Sequence, residues 1–167
     1  MQNIMFEHAV RAQKKERAQM EKETVLISGC LIGLCCRYDG EQKRNKNIAA
    51  LMEKYYLIPV CPEQLGGLKT PRNPSEIREG RVISSDGTDV TAEYRRGADE
   101  ALKLALLFGC KKAILKERSP SCGFGKIYDG SFSGRLIDGN GVAAALLAAN
   151  GIEIYGESGI ESLIQCR

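Results

Sequence analysis

Hydrophobic and polar positions along the chain alternate between short apolar runs and longer stretches with helical spacing. The short runs are rich in Val, Ile and Leu, which is typical of strands buried on both faces of a sheet. They cover residues 24–28, 57–60, 112–116 and 152–156. The stretches with helical spacing predict helices. These cover residues 46–56, 91–109, 139–151 and 158–165. Strands that alternate with helices predict an α/β fold with a mainly parallel sheet covered by helices.

Three further segments complete this map of elements. Residues 1–22 carry scattered apolar residues among many charges and predict a mostly polar, amphipathic helix. We therefore divide the chain into an N-terminal helical extension at 1–22 and an α/β domain at 23–167. Segment 63–80 is rich in glycine and proline and is interpreted as a long loop, which at this length is usually functional. Residues 81–91 predict a β-hairpin that turns at Asp86-Gly87.

Composition and charge narrow the class of protein. A hydrophobic share of 43% and a charged share of 27% are ordinary for a globular protein, and 167 residues suit one domain with an appendage. The N-terminus is polar, and no apolar run is long enough for a membrane helix, so we expect a cytoplasmic protein without a membrane partner. The net charge of +3 does not favour a nucleic-acid partner.

The cysteines carry the strongest indication of chemistry. Seven cysteines in a reducing compartment are expected to be thiols or metal ligands, not disulfides. Cys30 and Cys61 follow the first two predicted strands, and Cys122 lies six residues beyond the third. Because loops at the carboxyl ends of parallel strands gather at one edge, these three thiols can meet there and bind zinc or an iron–sulfur cluster. Unrelated buried or surface thiols explain the pattern about equally well.

Polar residues close to these cysteines are candidates for catalysis. Glu63 can supply a carboxyl group for proton transfer. Ser119 and Ser121 can orient a substrate or bond to a cysteine sulfur, and Gly123 permits close approach of the backbone to a ligand. Ordinary turn and loop chemistry is the alternative explanation for each of them.

The two long loops add charged residues and two more thiols. Arg37 and Arg72 can recognise polar groups of a substrate, although loop-stabilising ion pairs explain such arginines more often. Cys35 and Cys36 lie in the first loop, and either of them can replace Cys30 as a metal ligand. The sequence alone does not choose among these three cysteines.

Six short motifs occur in a fixed order along the chain. SGCLIGLCCRYDG, VCPEQLGGLKTPRNPSEI, DVTAEYRRGA, AILKERSPSCG, IYDGSF and GNGVAAALL follow one another within residues 24–157. In this order they resemble the thiouracil desulfurase (TudS) family of small bacterial proteins. The resemblance implies a Rossmann-like fold with helices on both faces of an open sheet. It also implies a [4Fe–4S] cluster held by Cys30, Cys61 and Cys122, with one iron left open.

The same resemblance implies a reaction without net redox change. The open iron is expected to bind the sulfur of a base such as 2- or 4-thiouracil, and water then replaces the sulfur, which leaves as sulfide. The roles of an acid/base carboxylate and a nearby serine fall on Glu63 and Ser121. The expected partner is a thiolated base or nucleoside, and the N-terminal extension is a candidate for homo-oligomer contacts.

Two other functions remain open on the sequence alone. A cluster-free enzyme or sulfur carrier would form a persulfide on one reactive cysteine. A binding module would hold a structural metal, or none, and use its loops to bind a nucleotide-like ligand.

Overall fold

A computed structural model of the protein describes residues 22–165. The predicted helix at 1–22 therefore lies outside the described residues, apart from Lys22, and the division into extension and domain stays a prediction. No helix within residues 22–165 combines the length and hydrophobicity that crossing a membrane requires.

The elements of the described residues alternate as the sequence pattern predicts. The strands are β1 (Glu23–Ser28), β2 (Tyr55–Val60), β3 (Ser75–Arg78), β4 (Arg81–Ser84), β5 (Lys112–Leu115), β6 (Lys126–Tyr128), β7 (Leu136–Asp138) and β8 (Glu153–Gly156). The helices are α1 (Ile48–Lys54), α2 (Pro62–Leu65), α3 (Thr91–Leu107), α4 (Val142–Ala149) and α5 (Ile160–Gln165). Short 3₁₀ turns follow β1 and β8.

Four strands pair in parallel to form the central sheet, in the spatial order β2-β1-β5-β8. They are the four apolar runs of the sequence, so the predicted parallel α/β fold is confirmed. Strand β2 begins two residues earlier than predicted, because Tyr55 and Tyr56 extend the strand instead of the preceding helix. Aromatic residues favour the pleated, half-buried surface of a sheet over a helix.

Helices cover both faces of this sheet. On one face, Val25 lies in a buried core with residues of α1 and α5. On the other face, the next residue, Leu26, lies in a core with residues of α3 and α4. Because successive strand residues point to opposite faces, one uninterrupted apolar strand serves two cores.

Segment 63–80, which the sequence assigned to one long loop, contains a helix and a strand. It holds α2 and β3, and β3 pairs antiparallel with β4. The connection is a tight turn at Glu79-Gly80, where φ is +52° and +75°. Positive φ at both central residues is typical of the type I′ turn, whose twist matches that of paired strands.

The predicted hairpin at 81–91 is only partly correct. The chain turns at Asp86-Gly87, but the return segment makes a single isolated bridge between Ile83 and Asp89. Asp89 Oδ1 accepts a hydrogen bond of 3.0 Å from the N–H of Thr91, the first residue of α3. The return strand is short because the chain is already entering the helix.

A second hairpin, β6–β7, is hydrogen-bonded to the β3–β4 hairpin through the carboxylate of Glu76. Glu76 on β3 is buried, and its Oε2 accepts hydrogen bonds of 2.9 Å from the N–H groups of both Gly130 and Phe132. These two residues belong to the connection between β6 and β7. The two hairpins therefore form one continuous structure beside the sheet.

Helices α2 and α3 approach each other closely through two glycines. A Cβ atom at Gly97 would lie 1.8 Å from the carbonyl oxygen of Pro62, and one at Gly66 would lie 2.0 Å from that of Glu93. Neither position can carry a side chain unless the helices separate. The contact fixes the position of the short helix that carries Glu63.

We expect Gly97→Ala to lower the free energy of unfolding by about 2 kcal/mol or more, because the new methyl group overlaps the Pro62 carbonyl and overpacking outweighs the better helix propensity of alanine. Denaturant unfolding monitored by circular dichroism measures the change. Asp99→Ala, an exposed position two residues away, is the control and should change stability by less than about 0.5 kcal/mol. Equal stability of the two variants would contradict the glycine contact.

Candidate metal centre

The carboxyl ends of β1, β2 and β5 face one cavity of about 640 Å³. Cys30, Cys61 and Cys122 all line this cavity. They are joined there by Cys36, while Cys35 is exposed to solvent and is not part of the lining. The structure thus brings together the three cysteines that the sequence assigned to this edge of the sheet, with a fourth thiol beside them.

Strand pairing explains why the first two thiols are neighbours. Ser28, the last residue of β1, pairs with Val60, the last residue of β2, so both loops leave the sheet side by side. Cys30 lies in the 3₁₀ turn after β1, and Cys61 directly follows β2. Cys122 reaches the same cavity from the loop after β5.

The loop that carries Cys122 is fixed by hydrogen bonds to its own backbone. The Ser119 hydroxyl accepts bonds of 3.1 Å from the N–H groups of Ser121 and Cys122. A Cβ atom at Gly123 would lie 2.7 Å from the Ser119 carbonyl oxygen, so the absence of a side chain at Gly123 serves the folding of this loop. Gly123 was predicted to leave room for a substrate, and it is not part of the cavity lining.

The thiols of Cys36, Cys61 and Cys122 resist ionisation. Burial raises the pKa of Cys122 to about 12. A hydrogen bond with Cys30 raises the pKa of Cys36 to about 11, and a hydrogen bond with Cys36, followed by burial, raises the pKa of Cys61. Thiolates gathered in one buried site need a compensating positive charge, which a bound metal group provides. The donor set therefore fits a soft metal centre.

A single metal ion and an iron–sulfur cluster place different demands on the spacing of the thiols. Within residues 22–165, no group of three Cys, His, Asp or Glu side chains is arranged as a site for one metal ion. The ligands of a single zinc ion must converge on one point. In an iron–sulfur cluster each thiolate binds a different iron, so its ligands are spread around a larger object.

Glu63 lines the cavity from α2 and is held by Arg72. Arg72 Nε donates a hydrogen bond of 2.7 Å to Glu63 Oε2, and both side chains are largely buried, 9% and 13% exposed. Arg72 also donates bonds of 3.0 Å to the carbonyl oxygen of Cys36 and to Thr70 Oγ1. Arg72 lines the cavity, so its predicted role in substrate binding stays a prediction, and its guanidinium group is also bonded to Glu63 and orients it.

The two serines of the SPSCG motif lie in different surroundings. Ser119 lines the cavity, and its hydroxyl lies 3.4 Å from Glu63 Oε1. Ser121 is fully buried outside the lining, and its hydroxyl has no partner at normal hydrogen-bond distance among the described residues. It lies near enough to the Cys122 thiol to favour the charged form of that sulfur. Ser119 can therefore contact a molecule in the cavity, whereas Ser121 lies beside the Cys122 sulfur.

Arg37, the other arginine predicted to bind substrate, lines the cavity near its polar rim. It forms an ion pair of 2.7 Å with Asp39, and both side chains are partly exposed. The pair fits the loop-stabilising alternative, and Arg37 also belongs to the cavity lining.

Several residues of the cavity were missed by the sequence analysis. Tyr94, in the first turn of α3, is buried against Glu63, and burial followed by the charge of Glu63 raises the pKa of its phenol. Lys116 and Glu157 also line the cavity and form an ion pair of 2.8 Å. Tyr94 lies within a motif of the resemblance, but its helical spacing indicates only a core residue.

The chain is similar to one protein family, to one relative of known sequence and to one solved structure. Residues 25–159 match the 2-thiouracil desulfurase family. The chain is 39% identical over 150 residues to the uncharacterized protein YbbK of Bacillus subtilis strain 168, an alignment that covers 84% of this chain and 99% of that protein. It is also similar to the solved structure of the [4Fe–4S]-dependent thiouracil desulfidase TudS, with 44% identity, a TM-score of 0.80, and coverage of 85% of this chain and 95% of that one.

These matches extend over nearly the whole α/β domain and over nearly the full length of both relatives. The chain belongs to the 2-thiouracil desulfurase family. The resemblance seen in its motifs is thereby confirmed, and the family is one of enzymes.

We expect Arg72→Ala to lower the free energy of unfolding by about 3 kcal/mol, because it leaves the Glu63 carboxylate buried without its partner. Arg37→Ala breaks a more exposed pair and should cost less than about 1 kcal/mol. Chemical denaturation of both cluster-free variants gives the comparison. A double variant, Arg72→Ala with Glu63→Ala, should lose less than the sum of the single losses, and strict additivity would argue against coupling.

Proposed function

We propose that this protein binds a [4Fe–4S] cluster through Cys30, Cys61 and Cys122 and removes sulfur from a thiolated pyrimidine such as 2- or 4-thiouracil. Oxygen from water takes the place of the sulfur, and sulfide is released. The observation that carries the proposal is the meeting of these three thiols and the Glu63 carboxylate in one cavity, in a chain of this family.

The residues of the cavity suit such a cluster. When bound, the cluster supplies a soft, Lewis-acidic iron that attracts the substrate sulfur and polarises its bond to carbon. The buried Ser121 hydroxyl, which has no hydrogen-bond partner among residues 22–165, is placed to donate a hydrogen bond to the Cys122 sulfur once that sulfur is a thiolate. Such bonds to ligand sulfurs tune a cluster.

Glu63 is the group proposed to move the proton. Its carboxylate accepts a proton from the water that attacks the ring carbon and passes it to the departing sulfur. Arg72 holds Oε2, and the Ser119 hydroxyl lies beside Oε1, so the carboxylate is oriented from both sides. Ser119 is therefore the better candidate for the catalytic serine, and the role first predicted for Ser121 stays a prediction.

The remaining walls suit a flat aromatic substrate. The rings of Tyr38, Tyr128 and Phe132 line the cavity and offer surfaces on which a pyrimidine can stack. Arg37 lies in the same lining and can donate hydrogen bonds to polar groups of the base. Cytoplasmic location and assembly through residues 1–22 stay predictions.

The family match favours the proposed function over the two alternatives. A persulfide enzyme needs a cysteine that is a thiolate at neutral pH, and the raised pKa values of Cys36, Cys61 and Cys122 disfavour these three thiols for that role. A module with a structural zinc ion would use the same thiols, so metal analysis of the protein distinguishes it from the proposed enzyme.

Anaerobic reconstitution with iron and sulfide, followed by a thiouracil turnover assay, tests the proposal. We expect about four irons per chain and one sulfide released for each base converted, and we expect Cys122→Ala to retain less than about a tenth of the iron and activity. Cys110→Ala is the matched control, because Cys110 is buried in the same core but does not line the cavity. Full turnover by iron-free protein would overturn the proposal.

A second variant tests proton transfer apart from metal binding. Glu63→Gln preserves the shape of the side chain but cannot accept the proton, so we expect kcat/KM to fall by about 10²–10⁴-fold while the iron content stays at the wild-type value. Glu100→Gln, on the outer side of α3, should retain wild-type kinetics. Unchanged turnover in Glu63→Gln would remove this carboxylate from the mechanism.

A further inference from the structure

The cavity contains one thiol more than the proposed cluster uses. Cys36 lines the cavity and is only 4% exposed. Its thiol lies close enough to the thiols of both Cys30 and Cys61 for each of them to shift its pKa. Cys35, the adjacent residue in the chain, is exposed and lies outside the lining. The doubled cysteine of the first loop therefore consists of one solvent-facing thiol and one thiol at the metal centre.

Contacts to both its backbone and its side chain hold Cys36 in place. Its carbonyl oxygen accepts hydrogen bonds from Cys61 Sγ at 3.5 Å and from Arg72 Nη2 at 3.0 Å. Its sulfur lies 3.4 Å from where a Cβ atom at Gly29 would be, immediately beside Cys30. Cys36 is thus held between the first two proposed ligands by contacts to its backbone as well as to its thiol.

We propose that Cys36 is a reserve ligand of the metal centre, which replaces Cys30 or Cys61 when either thiolate is lost from iron. The inference rests on the proposed binding of a cluster in this cavity. An iron bound by either neighbour lies within reach of Cys36 by a change of its side-chain rotamer. The exchange is balanced, because the incoming thiol releases one proton on binding iron and the outgoing thiolate takes one up, with no electron transferred.

Cys122 lacks a comparable substitute. The hydrogen-bonding side chains next to its thiol are those of Ser28 and Ser121, and hydroxyl groups are poor ligands for an iron–sulfur cluster compared with thiolates. The centre therefore has two replaceable ligands and one irreplaceable ligand. This asymmetry distinguishes a reserve ligand from a thiol that merely fills the core.

Iron and acid-labile sulfide, counted after anaerobic reconstitution, test the inference without an activity assay. The single variants are Cys30→Ala, Cys61→Ala and Cys122→Ala, and each of the first two is combined with Cys36→Ala. The matched control is Cys30→Ala with Cys35→Ala, which removes the same number of thiols. Circular dichroism of the cluster-free proteins verifies folding, and Cys36→Ser, which changes the side-chain volume less than Cys36→Ala does, replaces it in any double variant that fails to fold.

We expect Cys30→Ala or Cys61→Ala to keep at least about half of the wild-type iron, and the same variant combined with Cys36→Ala to keep less than about a tenth. The control with Cys35→Ala should match Cys30→Ala. The inference is overturned if both single variants lose iron as completely as Cys122→Ala, or if the double variants keep what the singles keep. Wild-type protein that binds no iron would instead overturn the proposed function itself.

Discussion

Parallel pairing of neighbouring strands is the constraint on which the candidate site depends. When β1 and β2 run in the same direction with Ser28 opposite Val60, the next residues of both strands must leave the sheet at one edge. Strand β5 pairs with the other side of β1 and brings its own loop to the same edge. Thiols that are far apart in sequence become neighbours through backbone hydrogen bonds, before any metal is present.

The Glu63 carboxylate is positioned by different contacts from those that position the thiols. Glu63 depends on the glycine contact between α2 and α3 and on the guanidinium group of Arg72. Arg72 also bonds to the carbonyl oxygen of Cys36, so it connects the carboxylate to the loop that carries the first thiols. The proposed metal ligands and the proposed proton carrier are therefore held by different contacts, although they line one cavity.

Much of the fold could be predicted from the sequence, because apolar runs and helical spacing report burial directly. The turn at Glu79-Gly80 was missed because glutamate seldom adopts positive φ, so nothing in the pattern divided segment 63–80. Residue types near the cysteines identified Glu63 and Arg72, but the sequence could not show that one holds the other. Likewise, SPSCG offers two serines, and only burial distinguishes Ser119 from Ser121.

Glu76 holds one wall of the cavity in place through backbone hydrogen bonds alone. Its carboxylate binds the backbone, and not the side chains, of the connection that carries Phe132 into the cavity wall. These bonds therefore do not depend on the chemical identity of the side chain at position 132. The cavity wall at this position is formed by a side chain on a backbone that is held apart from the loops that carry the thiols.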